Sequence, residues 1–304
     1  MHTLVAVRPF VSVSGSLCCD GQVSDNQADQ LRVLAEQLAA EAAVFVRRRR
    51  AEIFDGERDT IGADAVQTKS TPTDPVTIVD TETELLLRDR LAALRPGDAI
   101  LGEEGGGPAA GGDGTVCWVI DPIDGTVNFM YGIPAYGISI AAQIDGVSVA
   151  GAVADVVGGE VYSAAAGLGA QVRSGAQLRS LRSSAVTDLS MALVGTGFGY
   201  APQRRAEQAA LVARLLPRVR DVRRIGSASL DLCFVAAGRL DAHYEHGLHV
   251  WDWAAGALIA GEAGAVVRLP EPDEGGGLLV AAAPGIAGSL TDALAEIGGL
   301  RPLR

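Results

Sequence analysis

The sequence predicts a water-soluble α/β protein of two lobes that share one interface. Three observations predict it. First, 48% of the 304 residues are hydrophobic, with 5% aromatics and 38 glycines, the profile of a close-packed globular chain rather than a disordered or fibrous one. Second, helical patterns alternate with short apolar runs that end in turn residues, as in layered α/β proteins. Third, the texture changes near residue 180, from hairpin-like runs to an alternation of strand and helix. Residues 26–180 are therefore expected to form an N-terminal α+β lobe, and residues 181–304 a C-terminal α/β lobe. Residues 1–25 are expected to be an irregular extension outside the fold. There is no internal repeat and no long linker.

The elements follow in order. From Asn26 to about Glu52, the residues Leu31, Val33, Leu34, Leu38, Ala42, Val44 and Phe45 form a broad apolar stripe, which predicts a helix. Arg47 to Arg50 are expected to close it as solvated charges that suit a helix C-terminus; four arginines there are a poor nucleic-acid patch. Residues 55–68 are polar and read as a loop. Val76 and Ile78 suggest a short strand. Asp80 or Thr81 can cap the next helix, with Glu82 and Glu84 in its first turn. That helix carries Leu85, Leu86, Leu91 and Leu94 and stops at Pro96.

A strand at Ile100-Leu101 ends in Glu103-Glu104 and a Gly-rich run over 105–114. That run is not a P-loop, since no Gly-Lys-Ser or Gly-Lys-Thr follows. An apolar strand, 116-VCWVI-120, comes next. Residues 136–172 show short apolar runs with turn signals at Asp145-Gly146 and Gly158-Gly159, the mark of hairpins. Beyond Ser180 the pattern predicts a strand over Met191–Val194, helices over 204–220 and 230–238, and a strand over 240–245. A helix over 252–263, strands at 264–269 and 278–282, and a last helix over 285–297 complete the chain.

Composition excludes some partners. The net charge is −12, and so acidic a surface repels nucleic acid and anionic lipid. It also repels anionic substrates, so an enzyme acting on phosphate esters would need metal ions to reverse the sign locally. Cys18, Cys19, Cys117 and Cys233 form no metal-binding spacing, which fits a reducing cytoplasm. Cys233, in an apolar helix, reads as an inert core thiol. No segment reads as a membrane span: 253-WAAGALIAGEAGAVV-267 is short and carries Glu262. The stretch 4-LVAVRPFVSVSGSLCC-19 is only faintly signal-like, with Arg8 and Pro9 interrupting it.

The chemistry lies in acids that close apolar runs. In 119-VIDPIDGTVNF-129, Asp121 and Asp124 follow a strand, and unpaired carboxylates buried there are costly. Glu103-Glu104 close one strand, Asp80 another, and Asp252 opens the helix of 250-VWDWAAG-256. Singly, each has an ordinary role as a turn residue or helix cap. Jointly, they supply the oxygen ligands that hard divalent cations require. Pro122 turns the chain, the Ile123 carbonyl can turn inward, and Asp124 returns to the side of Asp121. Gly125-Thr126 can then begin a helix whose free N–H groups suit a phosphate.

The combination of Gly102-Glu103-Glu104, 121-DPIDGTVNF-129 and 251-WDWAAG-256, with 69-KSTPTDPVTIVD-80 upstream, resembles the inositol monophosphatase family over about residues 28–298. The resemblance implies an αβαβα sandwich, often a homodimer, and a Mg²⁺-dependent phosphatase of small phosphorylated polyols. Glu103, Asp121 and the Ile123 carbonyl would hold a first Mg²⁺, and Asp121, Asp124 and Asp252 a second. A third, weaker ion would lean on Glu103. Thr126, oriented by Asp80, would hydrogen-bond the nucleophilic water with help from Glu103. The N–H groups of Gly125 and Thr126 would bind phosphate, Glu245 would accept hydrogen bonds from substrate hydroxyls, and Gly226, Ser227 and Ala228 would line the polyol pocket. Two metal ions can stabilise both the attacking and the leaving oxygen of an in-line displacement.

The expected substrate is myo-inositol 1-phosphate. The runner-up is fructose 1,6-bisphosphate, alone or in addition; a regulatory or binding protein that retains the fold is the alternative from another class. Trp253 stands where the family commonly has a small residue, and on a helix it points about 100° away from Asp252, so it is expected to pack against the sheet. His243, His246 and His249 cluster near Glu245; on a strand and turn they read as surface or packing histidines, with His249 of interest to Glu245.

Overall fold

The computed structural model describes residues 23–54, 66–68, 75–108, 114–271 and 276–303. Residues 1–22 of the expected extension, 69–74 of the upstream motif and 109–113 of the Gly-rich run lie outside the described residues.

Helix α1 (Asp25–Phe54) buries Leu31, Ala35, Leu38, Ala42 and Val46, one stripe at three- and four-residue spacing. Val33 and Val44, expected on that stripe, are exposed. They stand eleven residues apart, about three turns, and so share the opposite face. The arginine run is not simply solvated. Arg47 donates to the Val156 carbonyl at 2.7 Å, Arg49 grips Glu82 at 2.7 and 3.0 Å, and Arg50 donates to the Phe129 carbonyl at 3.0 Å. Three of the four tie α1 to its neighbours, and the helix continues past them.

Strands β1 (Val66–Thr68) and β2 (Pro75–Thr77) pair antiparallel, so the end of the expected loop is a strand. Helix α2 (Ile78–Leu94) is capped by Thr77. Asp80 is the third helical residue rather than the cap, and Glu82 and Glu84 fall beyond the first turn.

The larger sheet has seven strands in chain order: β3 (Ala99–Gly102), β4 (Val116–Asp124), β5 (Gly137–Ile144), β6 (Val147–Asp155), β7 (Glu160–Ala165), β8 (Ala170–Ser174) and β9 (Gln177–Ser180). Only β3 and β4 run parallel; the rest are antiparallel neighbours. The β5–β6 turn has φ of 50° at Asp145 and 78° at Gly146, the pair of positive values that an Asp-Gly hairpin provides. The short helix α3 (Thr126–Tyr131) interrupts the run between β4 and β5.

The second sheet follows the order β11-β10-β12-β14-β13. It comprises β10 (Leu193–Thr196), β11 (Asp221–Arg223), β12 (Ala242–His246), β13 (Val266–Arg268) and β14 (Leu278–Ala282). Met191 belongs to a 3-10 turn ahead of β10, because the Asp188 side chain holds the Ser190 N–H at 2.9 Å. Among the described residues, four further helices follow: α4 (Pro202–Leu215), α5 (Ala228–Ala236), α6 (Val250–Glu262) and α7 (Ala287–Glu296). The expected helix over 204–220 ends as α4 at Leu215, passes into a 3-10 turn at Pro217 and gives way to β11, since proline cannot continue the helical ladder.

Four apolar clusters separate five layers. Helices α1 and α2 pack on one face of the seven-stranded sheet through Leu38, Leu87, Trp118 and Ile140. Its other face meets α5 and α6 through Val119, Tyr162, Leu230 and Ile259. The same two helices meet the five-stranded sheet through Leu232, Ala260 and Leu279. Its outer face is covered by α4 and α7 through Leu211, Val280 and Leu290. This is the αβαβα sandwich. Strand β4 is buried along its whole length, with Trp118 and Ile120 facing one core and Cys117 and Val119 the other, the period-two pattern of a central strand. Cys233 is buried in the middle layer.

Candidate active site

The site begins at an irregularity in β4. Asp121 pairs with Ser139 and Asp124 with Gly137, so β4 carries one residue more than β5. Pro122 sits in this bulge, where no ladder donor is needed. Asp121 Oδ1 accepts the Ile123 N–H at 3.0 Å, a local turn that returns Asp124 to the side of Asp121. Gly125 then turns into α3 with φ of +97°, and a Cβ there would lie 3.0 Å from the Gly226 carbonyl oxygen and 3.1 Å from that of Ala135. Only glycine fits this corner.

Asp252 reaches the same place from the first turn of α6, where its Oδ2 accepts the His249 N–H at 2.6 Å. Asp121, Asp124 and Asp252 each place a carboxylate oxygen within 4.8 Å of the other two. The Glu103 side chain hydrogen-bonds Asp121 from the end of β3. Asp124 Oδ2 takes three donors: Ser227 Oγ at 2.6 Å, the Ser229 N–H at 2.7 Å and Ser229 Oγ at 2.5 Å. Its other oxygen is left for the centre.

Asp80 divides its oxygens likewise. Oδ2 accepts the Thr77 N–H at 2.9 Å and the Thr77 hydroxyl, closing the capping box of α2. Oδ1 lies 3.1 Å from Thr126 Oγ1, which is also 3.1 Å from the Ile123 carbonyl oxygen.

These acids hold their protons unusually well. Burial, and then the charge of Glu103 and of Asp124, pushes the Asp121 carboxyl well above the usual range. Asp252 rises for the same reasons, burial first and Asp124 next. Burial also raises Asp124, against the serine hydrogen bonds, and carries Asp80 up to about 7 against those of Thr77. Several buried carboxyls that repel one another, converging through hard oxygen atoms, fit a multiply charged oxygen-seeking cation.

The acids floor a cavity of about 360 Å³, the size of a small-molecule site. Glu103, Asp121, Ile123, Asp124, Gly125, Thr126 and Asp252 line it together with Gly226, Ser227, Ala228 and Glu245, while Asp80 stands behind Thr126. The residues to which the family resemblance gave a role therefore gather at one place, while Glu104, the other acid that closes β3, does not line the cavity. A profile of the inositol monophosphatase family matches residues 27–298.

The chain belongs to the inositol monophosphatase family.

Its relatives within the family agree. The chain is 67% identical over 287 residues to an inositol-1-monophosphatase of Mycobacterium leprae, covering 92% of this chain and 99% of that one. It superposes on the solved structure of Mycobacterium tuberculosis SuhB with a TM-score of 0.77 and 58% identity, over 91% of this chain and 100% of the other. It is also 40% identical over 195 residues to Escherichia coli Nus factor SuhB, covering 64% of this chain and 71% of that one.

Several residues of the site were not legible in the sequence. Ser229 lies just past the expected Gly226–Ala228 segment and gives Asp124 two of its three donors. Glu84 is buried and accepts the N–H groups of Glu104 and Gly105 at 2.7 and 2.8 Å while pairing with Arg88 at 2.8 Å. It thereby shapes the turn that aims Glu103. Its one signal was the Glu84–Arg88 spacing on the buried side of α2. Arg204 and Arg224 reach the cavity from its rim, though neither is adjacent in sequence to an acidic motif.

Of the tryptophans, Trp251 lines the cavity and stacks on His249 with ring centroids 4.8 Å apart. Trp253 packs into the cores on either side of the middle layer, as its helical offset predicts. His243 and His246 are buried, and His246 Nε2 lies 2.8 Å from the Gly299 carbonyl oxygen. His249 lines the cavity. Among the described residues, no helix is long and apolar enough to cross a membrane.

Proposed function

We propose that this protein is a Mg²⁺-dependent phosphatase that hydrolyses myo-inositol 1-phosphate to inositol and phosphate. The observation that carries the reading is the convergence of Asp121, Asp124 and Asp252 within 4.8 Å of one another, beside a Thr126 hydroxyl 3.1 Å from Asp80. The resemblance to relatives named for this activity supports the substrate.

Glu103, Asp121 and the Ile123 carbonyl would hold one Mg²⁺, and Asp121, Asp124 and Asp252 another; a third, weaker ion would lean on Glu103. Bound there, Mg²⁺ supplies Lewis-acid activation of water and neutralises charge on the phosphoryl group. The chain does the positioning, which is most of what phosphoryl transfer asks of a protein. With its proton directed to Asp80, the Thr126 hydroxyl keeps its lone pairs for a water hydrogen, and Glu103 accepts the other. The N–H groups of Gly125 and Thr126 hold the phosphate oxygens. Glu245 accepts from substrate hydroxyls, and Gly226, Ser227 and Ala228 form the wall against the ring. The reading extends to two lobes, 26–180 and 181–304, to a homodimer, and to the cytoplasm.

The experiment measures phosphate release from myo-inositol 1-phosphate and from fructose 1,6-bisphosphate, each with Mg²⁺ and with EDTA, for the wild type and Asp124→Asn. The reading expects Mg²⁺-dependent release from inositol phosphate that the variant loses. Release from the bisphosphate alone would move the assignment to the runner-up. A second reading, a regulatory binding role on the same fold, is favoured by the relative named Nus factor SuhB; a bound partner that survives Asp124→Asn would identify it.

A further inference from the structure

Beneath Glu245 the fold buries titratable groups that the reaction above does not use. His243 and Glu245 stand two residues apart on β12, so their side chains leave the same face of the strand. Asp231 meets them from α5. His243 and Asp231 are 0% and 1% exposed. His243 Nδ1 lies 3.7 Å from Asp231 Oδ2, and its Nε2 lies 3.4 Å from Glu245 Oε2. The row Asp231–His243–Glu245 thus runs from the packed interior to the cavity wall.

The neighbouring strand leaves room for this row. β10 sets Gly195 beside His243, where a Cβ would lie 3.1 Å from His243 Nδ1 and 3.2 Å from Asp231 Oδ1. A Cβ on Gly197 would lie 2.1 Å from both Glu245 oxygens. Glycines two apart on one side match the histidine and glutamate two apart on the other.

We propose that His243, backed by Asp231, is the positioning residue for Glu245, holding that carboxylate on the cavity wall in the orientation that accepts a substrate hydroxyl. The proposal rests on the polyol-phosphatase reading above. A neutral imidazole has one N–H and one lone pair, so between two carboxylates it would turn a lone pair towards one of them. An imidazolium attracts both. Among the described residues, Asp231 Oδ1, His243 Nδ1 and His243 Nε2 make no hydrogen bond. That is costly for buried neutral groups, and charge attraction relieves it. Burial weakens the hold of His243 on its proton, but Asp231 from α5, Glu245 from its own strand and Asp124 from β4 outweigh it, and the net shift is upward. At the other end of the row burial raises the Asp231 carboxyl to about 8, against the pull of His243 and then of Arg224 towards its charged form. A buried cation behind a carboxylate fixes its direction better than solvent does.

The test is steady-state kinetics of the full-length, Mg²⁺-loaded protein on myo-inositol 1-phosphate and on p-nitrophenyl phosphate, whose leaving group offers no further hydroxyl. His243→Ala is expected to raise KM for inositol phosphate about tenfold with kcat changed by less than about threefold. The KM rise for p-nitrophenyl phosphate is expected to be at least about fivefold smaller. Glu245→Gln combined with His243→Ala is expected to lose no more than Glu245→Gln alone, because the two residues act as one unit. Equal losses on both substrates, or additive losses in the double variant, would overturn the proposal.

A wild type that hydrolyses p-nitrophenyl phosphate with Mg²⁺ but not inositol phosphate would instead overturn the polyol reading. The positioning contact then stands or falls on ¹⁵N NMR of the imidazole at neutral pH, which also serves if His243→Ala does not fold. Protons on both ring nitrogens, with an Nε2 signal that moves in Glu245→Gln, support it. A neutral single tautomer that ignores Glu245→Gln overturns it.

Discussion

Thr126 Oγ1 lies 3.1 Å from Asp80 Oδ1, on a carboxyl whose other oxygen is held by Thr77 of its own capping box. One side chain thus closes the start of α2 and orients a hydroxyl on the cavity wall 46 residues away in sequence.

Thr126→Ser keeps that hydroxyl and is expected to retain kcat within about tenfold, whereas Thr126→Ala is expected to lose about 100-fold, the scale of a lost positioned proton acceptor. Neither change touches the three converging aspartates, so the rise in melting temperature on adding Mg²⁺ should persist in both. Kinetics and thermal scans check the two halves separately.

Asp121 is buried beside Glu103, Asp124 and Asp252. Asp121→Asn removes one of these like charges. The metal-free variant is expected to melt a few degrees above the metal-free wild type, to lose its stabilisation by Mg²⁺, and to lose activity by at least about 100-fold. A variant that melts lower without metal would contradict the repulsion seen here.

The same charges set a pH dependence. The Asp80 carboxyl, an ordinary carboxylic acid in the unfolded chain, is raised by burial to about 7 in the folded protein, and Asp121, Asp124 and Asp252 shift the same way. The folded state then binds more protons than the unfolded one, so stability falls as pH rises. For the metal-free protein, the Asp80 contribution is fully present below about pH 4 and is lost as pH rises through about 7. Saturating Mg²⁺ favours the ionised ligands and should oppose this slope. Melting temperatures from pH 5 to 8, in EDTA and in Mg²⁺, measure both.

Glu84 does not line the cavity, yet it holds the N–H groups of Glu104 and Gly105. A Cβ on Gly102 would lie 2.4 Å from its Oε1. Glu84→Gln is expected to weaken Mg²⁺ binding about tenfold through Glu103, as loss of a supporting partner does. Isothermal titration with Mg²⁺ reads this directly.

Local chemistry made much of this legible. Asp145-Gly146 announced a hairpin because few other pairs accept two positive φ values. Asp121, Asp124 and Asp252 were visible only as a set, because turns and helix caps explain one such acid but not several that close apolar runs together. The helix caps were read less well: Thr77 rather than Asp80 begins α2, since a box places its acid three residues inside the helix and both residue types suit either place. Val33 and Val44 were counted into a stripe that they oppose, because apolar character alone does not say which face of a helix is covered.

Short-range rules, the periods of strand and helix and the φ demands of glycine and proline, act between neighbours in the chain. The alternation of helix and strand, the hairpins and the set of acids that close apolar runs could therefore be read from residue order, while the αβαβα layering came with the family resemblance. Contacts between distant segments follow no such spacing. The three donors on Asp124 come from residues more than 100 positions away, Arg50 reaches Phe129, and His243 meets Asp231 and Glu245 where Gly195 of β10 and Gly197 just after it leave room. Tertiary packing alone decided these, because a side chain's partner is set by which faces the core brings together.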